Sequence, residues 1–393
     1  MRIGGEIQLE NEIYSIRLPR EVYSGAGSIQ KLREVLRRKK QILLLADPVL
    51  VKLDYLCSVL ELLEQEGKAW SLESEIPSEP QAQQIEAVLN KCRGMHCDCV
   101  LGIGGGSVLD TAKLLALLLE TEKSVFDLMQ NPSIEETRLL PLVLAPTTAG
   151  TGSEATPNAI VTDTSRNMKV GIVNQAFIPD TVILDPAFTM TLPQSVTAAT
   201  GMDALAHALE CYISKKANPI SDTYAIEAMR LIFSNLLTAY QQPDHADARH
   251  AMLYAAFLGG LCIATSSTTA VHALAYPLGG KYHIPHGVSN AMLLPAVMEF
   301  NRSVITDKLY TVAVRCMGLP ASVTKEEAAD AVIRQLYAFS RQMQIPTDLK
   351  KYGIRPEELD QLAEEGFAVR RLLDNNPKQM QLSDVREIYE TLL

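Results

Sequence analysis

The pattern of apolar and polar positions differs between the two halves of the chain. In the first half, short apolar runs alternate with amphipathic stretches near 50–66 and 107–120. The apolar runs are QILLLAD (41–47), CDCVLGIGG (97–105), PLVLAPTT (141–148) and TVILD (181–185). Short apolar runs between turn residues are typical of buried strands. Their alternation with helices predicts an α/β fold with a mainly parallel sheet covered by helices.

The strand pattern stops at about Pro193, and long helical patterns follow. The clearest of these are SVTAATGMDALAHALECYIS, SDTYAIEAMRLIFSNLLTAY and ARHAMLYAAFLGGLCIA. The chain has 393 residues, more than one hydrophobic core usually serves, so two domains are expected. We predict an α/β domain over residues 1–190 and an all-α domain over residues 191–393, with the boundary at FTMTLP.

Composition and charge exclude several classes of protein. With 47% apolar and 21% charged residues, the chain is typical of a globular protein. A net charge of −10 without a basic stripe argues against nucleic-acid binding, because phosphate groups attract clustered Lys and Arg. No apolar segment follows Arg2 as in a secretory signal, and runs such as LLALLLE are too short to span a bilayer. We therefore expect a cytoplasmic protein without membrane insertion.

The seven cysteines are irregularly spaced, which fits free thiols in a reducing compartment. In CRGMHCDCV, the residues Cys92, His96, Cys97 and Cys99 have a superficial likeness to a zinc knuckle. No second Cys/His pair follows at ligand spacing, and the segment continues into the apolar VLGIGGG. Cys97 and Cys99 therefore fit better as alternate residues of a buried strand.

The segment VLGIGGGSVLDTAK, residues 100–113, combines an apolar strand, three glycines, a serine and an amphipathic helix. At such a turn, the free N–H groups of the helix N-terminus favour a phosphate, and glycines let it approach the backbone. We therefore assign a dinucleotide pyrophosphate to Gly104, Gly105, Gly106 and Ser107. The segment matches neither Gly-x-Gly-x-x-Gly nor a Walker loop, and a turn that merely needs glycine flexibility is the alternative.

Two further segments would complete a nucleotide site. Asp47 ends the QILLLAD run, where a carboxylate accepts hydrogen bonds from an adenosine ribose and repels a 2′-phosphate, which favours NAD over NADP. The polar segment APTTAGTGSEATPN follows the PLVL run, and the hydroxyls of Thr147, Thr148 and Ser153 suit the wall of a nucleotide pocket. The alternative for Asp47 is a polar residue that merely begins a turn. The alternative for the second segment is an ordinary Ser/Thr-rich loop.

In GMDALAHALE, Asp203 and His207 lie four residues apart in a helical pattern, so both side chains share one helix face. His272 in STTAVHALAYPLGG and His286 in KYHIPHGVSNAMLLP also lie in apolar surroundings. One carboxylate and three imidazoles suit a divalent metal such as Zn²⁺ or Fe²⁺. Hydrogen-bonded core histidines are the alternative.

Together, GGGSVLDTAK, TTAGTGSE, GMDALAHALE and VHALAYPLGGKYHIPHGVSNAMLLP resemble motifs of the iron-containing (group III) alcohol dehydrogenases, and the resemblance covers nearly the whole chain. It implies a Rossmann-like N-terminal nucleotide-binding domain and an all-α C-terminal domain, which is the dehydroquinate synthase-like architecture. It places the metal and the nicotinamide together in the cleft. It also implies a homodimer or a higher homo-oligomer.

The resemblance assigns roles to particular residues of this sequence. The residues that correspond to the family's metal ligands are Asp203, His207, His272 and His286. Those that correspond to its cofactor contacts are Gly104, Gly105, Gly106, Ser107, Thr147 and Thr148. Asp110 and Lys169 correspond to further cofactor contacts.

The chain departs from the family at one position. Many members carry a second histidine four residues after the third ligand, close to the substrate, where this sequence has Tyr276. A phenol with an unperturbed pKa of about 10 relays protons less readily than an imidazole. Water, a ribose hydroxyl, Tyr276 and His283 are the candidates for proton transfer.

The resemblance predicts reversible hydride transfer between a small primary alcohol or diol and NAD, with the metal polarising the substrate oxygen. Alternatives on the same fold are a zinc glycerol dehydrogenase and a dehydroquinate synthase-like lyase, which need a polyol or phosphorylated pocket. A non-catalytic protein that binds NAD and a metal is a third alternative, but such a protein would be expected to lack a ligand.

Overall fold

The computed structural model describes residues 14–52, 55–131, 137–165 and 168–393. Its main sheet contains β1 (Glu21–Ser24), β2 (Gln41–Ala46), β3 (Ala69–Glu73), β4 (Cys99–Gly104), β5 (Leu142–Pro146) and, after a hairpin, β8 (Thr181–Leu184). All strand pairs of this sheet are parallel, and the spatial order is β1-β8-β5-β4-β2-β3. The hairpin consists of β6 (Asn158–Asp163) and β7 (Met168–Val173), which pair antiparallel.

Helices cover both faces of the main sheet. They are α1 (Leu32–Val35), α2 (Pro48–Lys52), α3 (Cys57–Gln65), α4 (Ala82–Cys92), α5 (Gly106–Leu118) and α6 (Val125–Gln130). Successive strand residues point to opposite faces, so Leu43 and Val100 pack in one core with α4, α5 and α6. Their neighbours Leu44 and Leu101 pack in a second core with α1 and α3. Burial on both faces explains why these strands are continuously apolar.

Two local features differ from the pattern of the sequence. The helix expected near 50–66 is divided into α2, which begins at Pro48, and α3, which begins at Cys57 after the turn residues Tyr55 and Leu56. The hairpin β6–β7 was not expected. Its buried apolar residues, such as Ala159, Val161 and Ile172, stand singly between partly buried or exposed residues, so its apolar signal is weak.

The second half of the chain is helical. Its helices are α7 (Gln194–Ile213), α8 (Pro219–Gln241), α9 (Ala246–Thr265), α10 (Ala270–Tyr282), α11 (His286–Arg315), α12 (Lys325–Gln342), α13 (Leu359–Phe367), α14 (Arg370–Leu373) and α15 (Leu382–Glu390). Within residues 191–393, all of which the structure describes, there is no strand. The expectation of an α/β part followed by an all-α part is therefore confirmed, while the division at residue 190 stays a prediction.

Among the described residues, one helix is long and apolar enough to cross a membrane. This helix is α9, with a mean hydropathy of 1.2. The sequence had suggested that no run reaches this length. In the fold, 67% of an 18-residue apolar stretch of this helix is buried inside the molecule, and the helix packs against α7 and α8. Its apolar composition is thus explained by its place in the core.

A crevice for a ligand is created by the strand order. After β2, the chain continues to β3 on one side, returns to β4 on the other side of β2, and then proceeds outward to β5. The connections thus diverge between β2 and β4. Ligands of open parallel sheets bind at the carboxyl ends of the strands at such a switch point. Gly104 ends β4 at this edge, which positions the glycine-rich turn.

Candidate metal and nucleotide site

Four candidate metal ligands come together from three helices. Asp203 and His207 lie one turn apart in α7, His272 lies in the first turn of α10, and His286 begins α11. Oδ1 of Asp203 lies 3.9 Å from Nε2 of His207, 3.7 Å from Nε2 of His272 and 3.9 Å from Nε2 of His286. A metal ion about 2.1 Å from each ligand atom fits between atoms at such separations.

The outer ring nitrogens of two of these histidines are held by hydrogen bonds. Nδ1 of His207 lies 3.2 Å from the backbone carbonyl oxygen of Gly150, and Nδ1 of His272 bonds the carboxylate of Glu210. A carbonyl oxygen only accepts, so Nδ1 of His207 carries the proton and Nε2 presents its lone pair to the centre. Metal-binding histidines are oriented in this way, so these residues fit a metal ion better than they fit a hydrogen-bonded core.

Asn290 lies among the ligand atoms. Its Nδ2 donates to Oδ1 of Asp203 at 2.6 Å and lies 3.2 Å from Nε2 of both His272 and His286. Its own Oδ1 is buried and has no hydrogen-bond partner within the described part of the chain. Buried polar atoms rarely lack partners. Three acceptors that converge on one amide nitrogen beside an unpartnered oxygen indicate that this centre suits a cation.

Burial and charge set the protonation of the cluster. Burial lowers the pKa of His286 to about 3 and also lowers the pKa of His207, in both cases against the opposing effect of Asp203. Burial would raise the pKa of the Asp203 carboxyl, but the neighbouring histidines bring it below its usual value. Burial likewise opposes the charged form of His272, yet the Glu210 carboxylate raises its pKa. Neutral imidazoles and an ionised carboxylate are the forms that bind metals.

The glycine-rich turn lies between β4 and α5. Gly105 precedes the helix and Gly106 is its first residue. The first N–H groups of a helix have no intrahelical partner, so they attract a phosphate. A Cβ atom at Gly106 would lie 2.9 Å from Cγ2 of Thr151, and one at Gly105 would lie 3.5 Å from Cγ2 of Thr148. The turn is therefore bordered by the loop after β5, and its cofactor contacts stay predictions.

Asp47 and Thr147 lie at the same edge of the sheet as this turn. Asp47 follows β2 and Thr147 follows β5, and these strands flank β4. The backbone N–H of Thr147 donates to the carbonyl oxygen of Gly104 at 3.0 Å, and that of Asp47 to the carbonyl oxygen of Ile103 at 3.3 Å. The fold thus brings Asp47 beside the glycine turn, although it precedes that turn by more than fifty residues. Its contact with a ribose stays a prediction.

Asp110 and Ser153, two of the predicted cofactor contacts, are bonded within the protein. Oδ1 of Asp110 accepts from the Lys113 amine at 3.1 Å and from the Ser153 hydroxyl at 2.5 Å. Its Oδ2 accepts from the backbone N–H of Ile160 at 2.9 Å. The fully buried amine of Lys113 also donates to the hydroxyls of Ser153 and Thr156. These bonds join α5 to the loop after β5 and to the hairpin, and a direct cofactor contact stays a prediction.

Three other predicted site residues lie near α10. Lys169 donates to Oε1 of Glu79 at 2.7 Å, and its charge helps to lower the pKa of His286. The ring centre of Tyr276 lies 6.3 Å from that of His286. His283 is exposed and ends α10 with a left-handed φ of 54°. Of the two side chains among the candidates for proton transfer, Tyr276 lies near the candidate metal ligands, and the role of each stays a prediction.

The cysteine-rich segment forms no metal cluster within the described residues. Cys92, Cys97 and Cys99 are buried free thiols, and His96 is exposed. Burial raises the pKa of Cys97 to about 11 and that of Cys99 to about 12, which keeps both protonated. Cys99 begins β4, as the strand interpretation expected, but Cys97 lies before the strand because pairing with β2 starts at Cys99, so this part of the prediction is wrong.

Sequence reasoning did not single out Glu210 and Asn290. Glu210 follows His207 by three residues in GMDALAHALE, and Asn290 follows His286 by four residues in HGVSN. Both spacings place a side chain on the helix face of a ligand, which is the signal that could have found them.

Comparison with known proteins gives a match along most of the chain. Residues 19–186 match the family described as iron-containing alcohol dehydrogenase, and residues 197–393 match the C-terminal part of the Fe-containing alcohol dehydrogenase family. Long-chain-alcohol dehydrogenase 1 of Geobacillus thermodenitrificans is 36% identical over 371 residues, which are 93% of each chain. The 1,3-propanediol dehydrogenase of Citrobacter freundii is 34% identical over 79% of this chain and 80% of its own.

The fold is also shared with solved structures. An alcohol dehydrogenase from Oenococcus oeni superposes with a TM-score of 0.91 at 30% identity, over 97% of this chain and 100% of that chain. The Rossmann-like and all-α parts thus have the arrangement of solved relatives. The chain belongs to the iron-containing alcohol dehydrogenase family and is a metal-dependent, NAD-linked alcohol oxidoreductase.

Proposed function

We propose that the protein transfers a hydride reversibly between a small primary alcohol or diol and NAD. The observation that carries this proposal is the loop after β5, which borders both candidate sites. Thr148 and Thr151 of this loop border the glycine-rich turn, and the carbonyl oxygen of Gly150 bonds His207. A metal cluster and a dinucleotide turn that share one short loop can hold an alcohol and a nicotinamide side by side, as hydride transfer requires.

The chain's own residues would hold and orient the reacting groups. The proposed metal ligands are Asp203, His207, His272 and His286. An Fe²⁺ or Zn²⁺ ion bound there supplies Lewis-acid polarisation of the substrate oxygen. Glu210 and Gly150 keep two imidazoles oriented with Nε2 toward the centre. Burial of Asp203, His207 and His272 excludes water, which strengthens their electrostatic interactions, whereas His286 is partly exposed.

Tyr276 is the better placed of the two proposed carriers of the substrate proton. It lies one turn after His272 in α10 and is partly buried. Burial raises the pKa of its phenol above the usual value, so the hydroxyl stays protonated and donates a hydrogen bond. His283 lies at the exposed end of the same helix, from which it would act through water.

Asp47 supports the choice of NAD over NADP. Its carboxylate lies partly exposed at the end of β2, in the crevice beside the glycine turn. A carboxylate there favours a ribose 2′-hydroxyl and repels a 2′-phosphate. We also propose that the protein works in the cytoplasm as a homodimer or larger homo-oligomer, without nucleic-acid or membrane partners, which the net charge of −10 supports.

The test is metal analysis of anaerobically purified protein, combined with NADH formation from C2 to C5 primary alcohols, 1,3-propanediol and glycerol. We expect about one Fe²⁺ or Zn²⁺ per chain, turnover of primary alcohols that depends on this metal, and faster turnover with NAD than with NADP. Turnover of glycerol alone would contradict the proposed substrate. Absence of bound metal after reloading would contradict the proposed site.

A further inference from the structure

Glu79 joins the glycine-rich turn to the hairpin. It lies in the loop after β3, at the carboxyl edge of the main sheet. Its backbone N–H donates to the Ser107 hydroxyl at 3.1 Å, and its Oε1 accepts from the Lys169 amine at 2.7 Å. The backbone N–H of Thr162 donates to the carbonyl oxygen of Pro80, the next residue, at 3.1 Å. The loop is therefore bonded to the turn proposed for the pyrophosphate and to both strands of the hairpin.

The backbone of Glu79 has a left-handed conformation, with a φ of 53°. A residue with a side chain rarely keeps such a conformation unless the surrounding structure holds it, and such residues cluster at functional sites. At Glu79, the bonds to Ser107 and Lys169 hold both the main chain and the side chain. The position of the carboxylate is therefore set by the turn and the hairpin together.

The Lys169 amine also packs against the helix that carries a candidate metal ligand. Its Nζ atom lies 3.3 Å from the position that a Cβ atom of Gly279 would take. Gly279 follows His272 by seven residues in α10, and residues seven apart lie two turns from each other on one helix face. The charge of Lys169 helps to lower the pKa of His286. The ion pair of Glu79 and Lys169 thus lies between the glycine-rich turn and the candidate metal ligands.

The ion pair is largely enclosed by the protein. The exposed fraction of the side chain is 7% for Lys169 and 33% for Glu79. Charges in such a place are screened less than charges in water, so each acts strongly on its neighbours. The carboxylate balances the charge of the amine. Without it, a positive charge would remain beside the path of a dinucleotide that reaches from the turn to the metal.

We propose that Glu79 is a positioning residue that balances the charge of Lys169 and thereby sets the relative affinity of the enzyme for NAD⁺ and NADH. This inference rests on the proposed function, because it takes the nicotinamide to lie beside the candidate metal ligands. The nicotinamide ring of NAD⁺ carries a positive charge that NADH lacks, whereas both forms carry the same pyrophosphate. A net charge near the ring therefore changes the affinity for one form relative to the other. A purely structural change affects both forms alike.

The test measures the Kd of metal-loaded protein for NAD⁺ and for NADH by calorimetry and compares the ratio of the two constants, Kd for NAD⁺ over Kd for NADH. Glu79→Gln removes the carboxylate, Lys169→Met removes the amine, and the double variant removes both. Glu79→Asn is a second uncharged variant, because asparagine adopts a left-handed φ more readily than glutamine. Glu75→Gln is the matched control, because Glu75 lies in the same loop and pairs with Lys91 on the surface.

We expect the ratio to rise about 3- to 10-fold in Glu79→Gln and Glu79→Asn, because an unbalanced lysine charge disfavours the cationic ring. The ratio should fall by a similar factor in Lys169→Met, in which the carboxylate stays. It should return to nearly the wild-type value in the double variant, and Glu75→Gln should keep that value. An unchanged ratio in both Glu79 variants, or shifts in the same direction in Glu79→Gln and Lys169→Met, would overturn the proposal.

The same binding curves separate this inference from the proposed function. Opposite shifts of the ratio in Glu79→Gln and Lys169→Met support the inference even if no alcohol is oxidised. If the wild type binds both forms and all variants have the same ratio, the inference alone is wrong. If the wild type binds neither NAD⁺ nor NADH, the inference and the proposed function are both wrong. If Glu79→Gln weakens both forms by the same factor, Glu79 only supports the shape of the site and does not balance charge.

Discussion

Glu210 orients a candidate metal ligand from a fully buried position. Its Oε1 accepts from the backbone N–H groups of Thr269 and Val271 and from the Thr269 hydroxyl, at 3.0, 2.7 and 2.6 Å. Its other oxygen bonds Nδ1 of His272. These donors fix the position of the carboxylate, which in turn holds the imidazole of His272 in one orientation. The residue therefore contributes to the metal centre without being a ligand.

Replacing Glu210 with glutamine should weaken metal binding. An amide offers only one oxygen, so its NH2 group must face either His272 or the donors at Thr269 and Val271. We expect the Kd for Fe²⁺ or Zn²⁺ to rise about 10- to 100-fold, as for other partners of metal-bound histidines. Competition with a chelator measures this Kd. The control is Glu227→Gln, which breaks an exposed pair with Arg230 on α8. Equal affinities in the wild type and Glu210→Gln would refute the positioning role.

Glu154 gives a pH-dependent stability that can be measured. Its side chain is buried beside Lys113, and Oε1 has no partner among the residues the structure describes. Burial raises the pKa of the carboxyl from 4.5 to about 7, although Lys113 opposes the shift. The folded protein therefore keeps this proton up to about pH 7, whereas the unfolded chain loses it near pH 4.5. The contribution of Glu154 to stability falls as the pH rises through this window.

The variant Glu154→Gln should remove that dependence. Its free energy of unfolding relative to the wild type should increase between pH 5 and pH 7.5 by about 2 kcal/mol, since one pKa unit corresponds to about 1.4 kcal/mol and part of the titration lies outside this range. Urea denaturation at both pH values measures this difference. An offset between the two proteins that is the same at pH 5 and pH 7.5 would show that Glu154 does not titrate in this window.

At the scale of elements, α9 touches the loop after β5 through two glycines. A Cβ atom at Gly260 of α9 would lie 2.2 Å from the carbonyl oxygen of Gly152, which itself has a left-handed φ of 59°. Neither the added Cβ atom nor the carbonyl oxygen of Gly152 belongs to a flexible side chain that could move aside. The helix and the loop therefore approach as closely as their backbones allow. Because this loop also carries Gly150, the contact supports the position of His207.

Gly260→Ala should destabilise the protein, while Gly259→Ala should not. Alanine at 260 forces the backbones apart, for which we expect a loss of roughly 1–3 kcal/mol in the free energy of unfolding. At 259, the added atom would lie 3.5 Å from Cβ of His207, an ordinary contact, and alanine favours a helix by about 1 kcal/mol. Denaturant titration of both variants measures the contrast. Equal stabilities of the two variants would mean that the loop after β5 moves to accommodate the alanine at position 260 with little loss of stability.

The turn between β4 and α5 allows binding and stability to be separated. Gly105 has a φ of −74°, which alanine adopts, and an added Cβ would lie 3.5 Å from Thr148. Gly105→Ala should therefore keep the wild-type Tm. Its methyl group would occupy space over the helix N-terminus, so the Kd for NADH should rise about 10-fold, or about 1.4 kcal/mol. Fluorescence titration with NADH measures this Kd. An unchanged Kd would show that the pyrophosphate does not bind at this turn.

At the scale of the whole molecule, the candidate metal centre connects distant parts of the chain. Its ligands come from α7, α10 and α11, and His207 is bonded to the loop of the α/β half through Gly150. The hairpin strand β7 packs against α10, which carries His272. A metal ion bound there would therefore join three helices of the second half. It would lie next to the place where His207 contacts the loop of the α/β half.

Removal of the metal should lower the melting temperature of the whole protein. A ligand at 100 times its Kd stabilises the folded state by about 2.7 kcal/mol, so we expect the Tm to fall by several degrees after chelation and to recover on reloading. Differential scanning calorimetry measures the shift. Asp203→Ala should show no metal-dependent shift, and His96→Ala, an exposed residue outside the cluster, should show the wild-type shift. A shift in Asp203→Ala would point to a different metal site.

The amino-acid sequence by itself determined the features that depend on local periodicity. The apolar runs 41–47 and 97–105 became β2 and β4, and the helical patterns after Pro193 became the all-α half. The spacing of Asp203 and His207 placed both on one helix face, and three consecutive glycines marked the turn before α5. These features follow from the periods of a strand and a helix, which are encoded within a few residues.

The tertiary structure alone decided which distant residues meet. It placed Asp47 beside Gly104, joined the carboxylate of Asp110 to the hydroxyl of Ser153, and set Arg371 against Gly171. The hairpin β6–β7 also depended on pairing between strands that no local pattern reports. Hydrogen bonds across long sequence separations, such as that from His272 to Glu210, form only when packed helices fix both partners. Their partners are therefore set by packing, which periodicity does not encode.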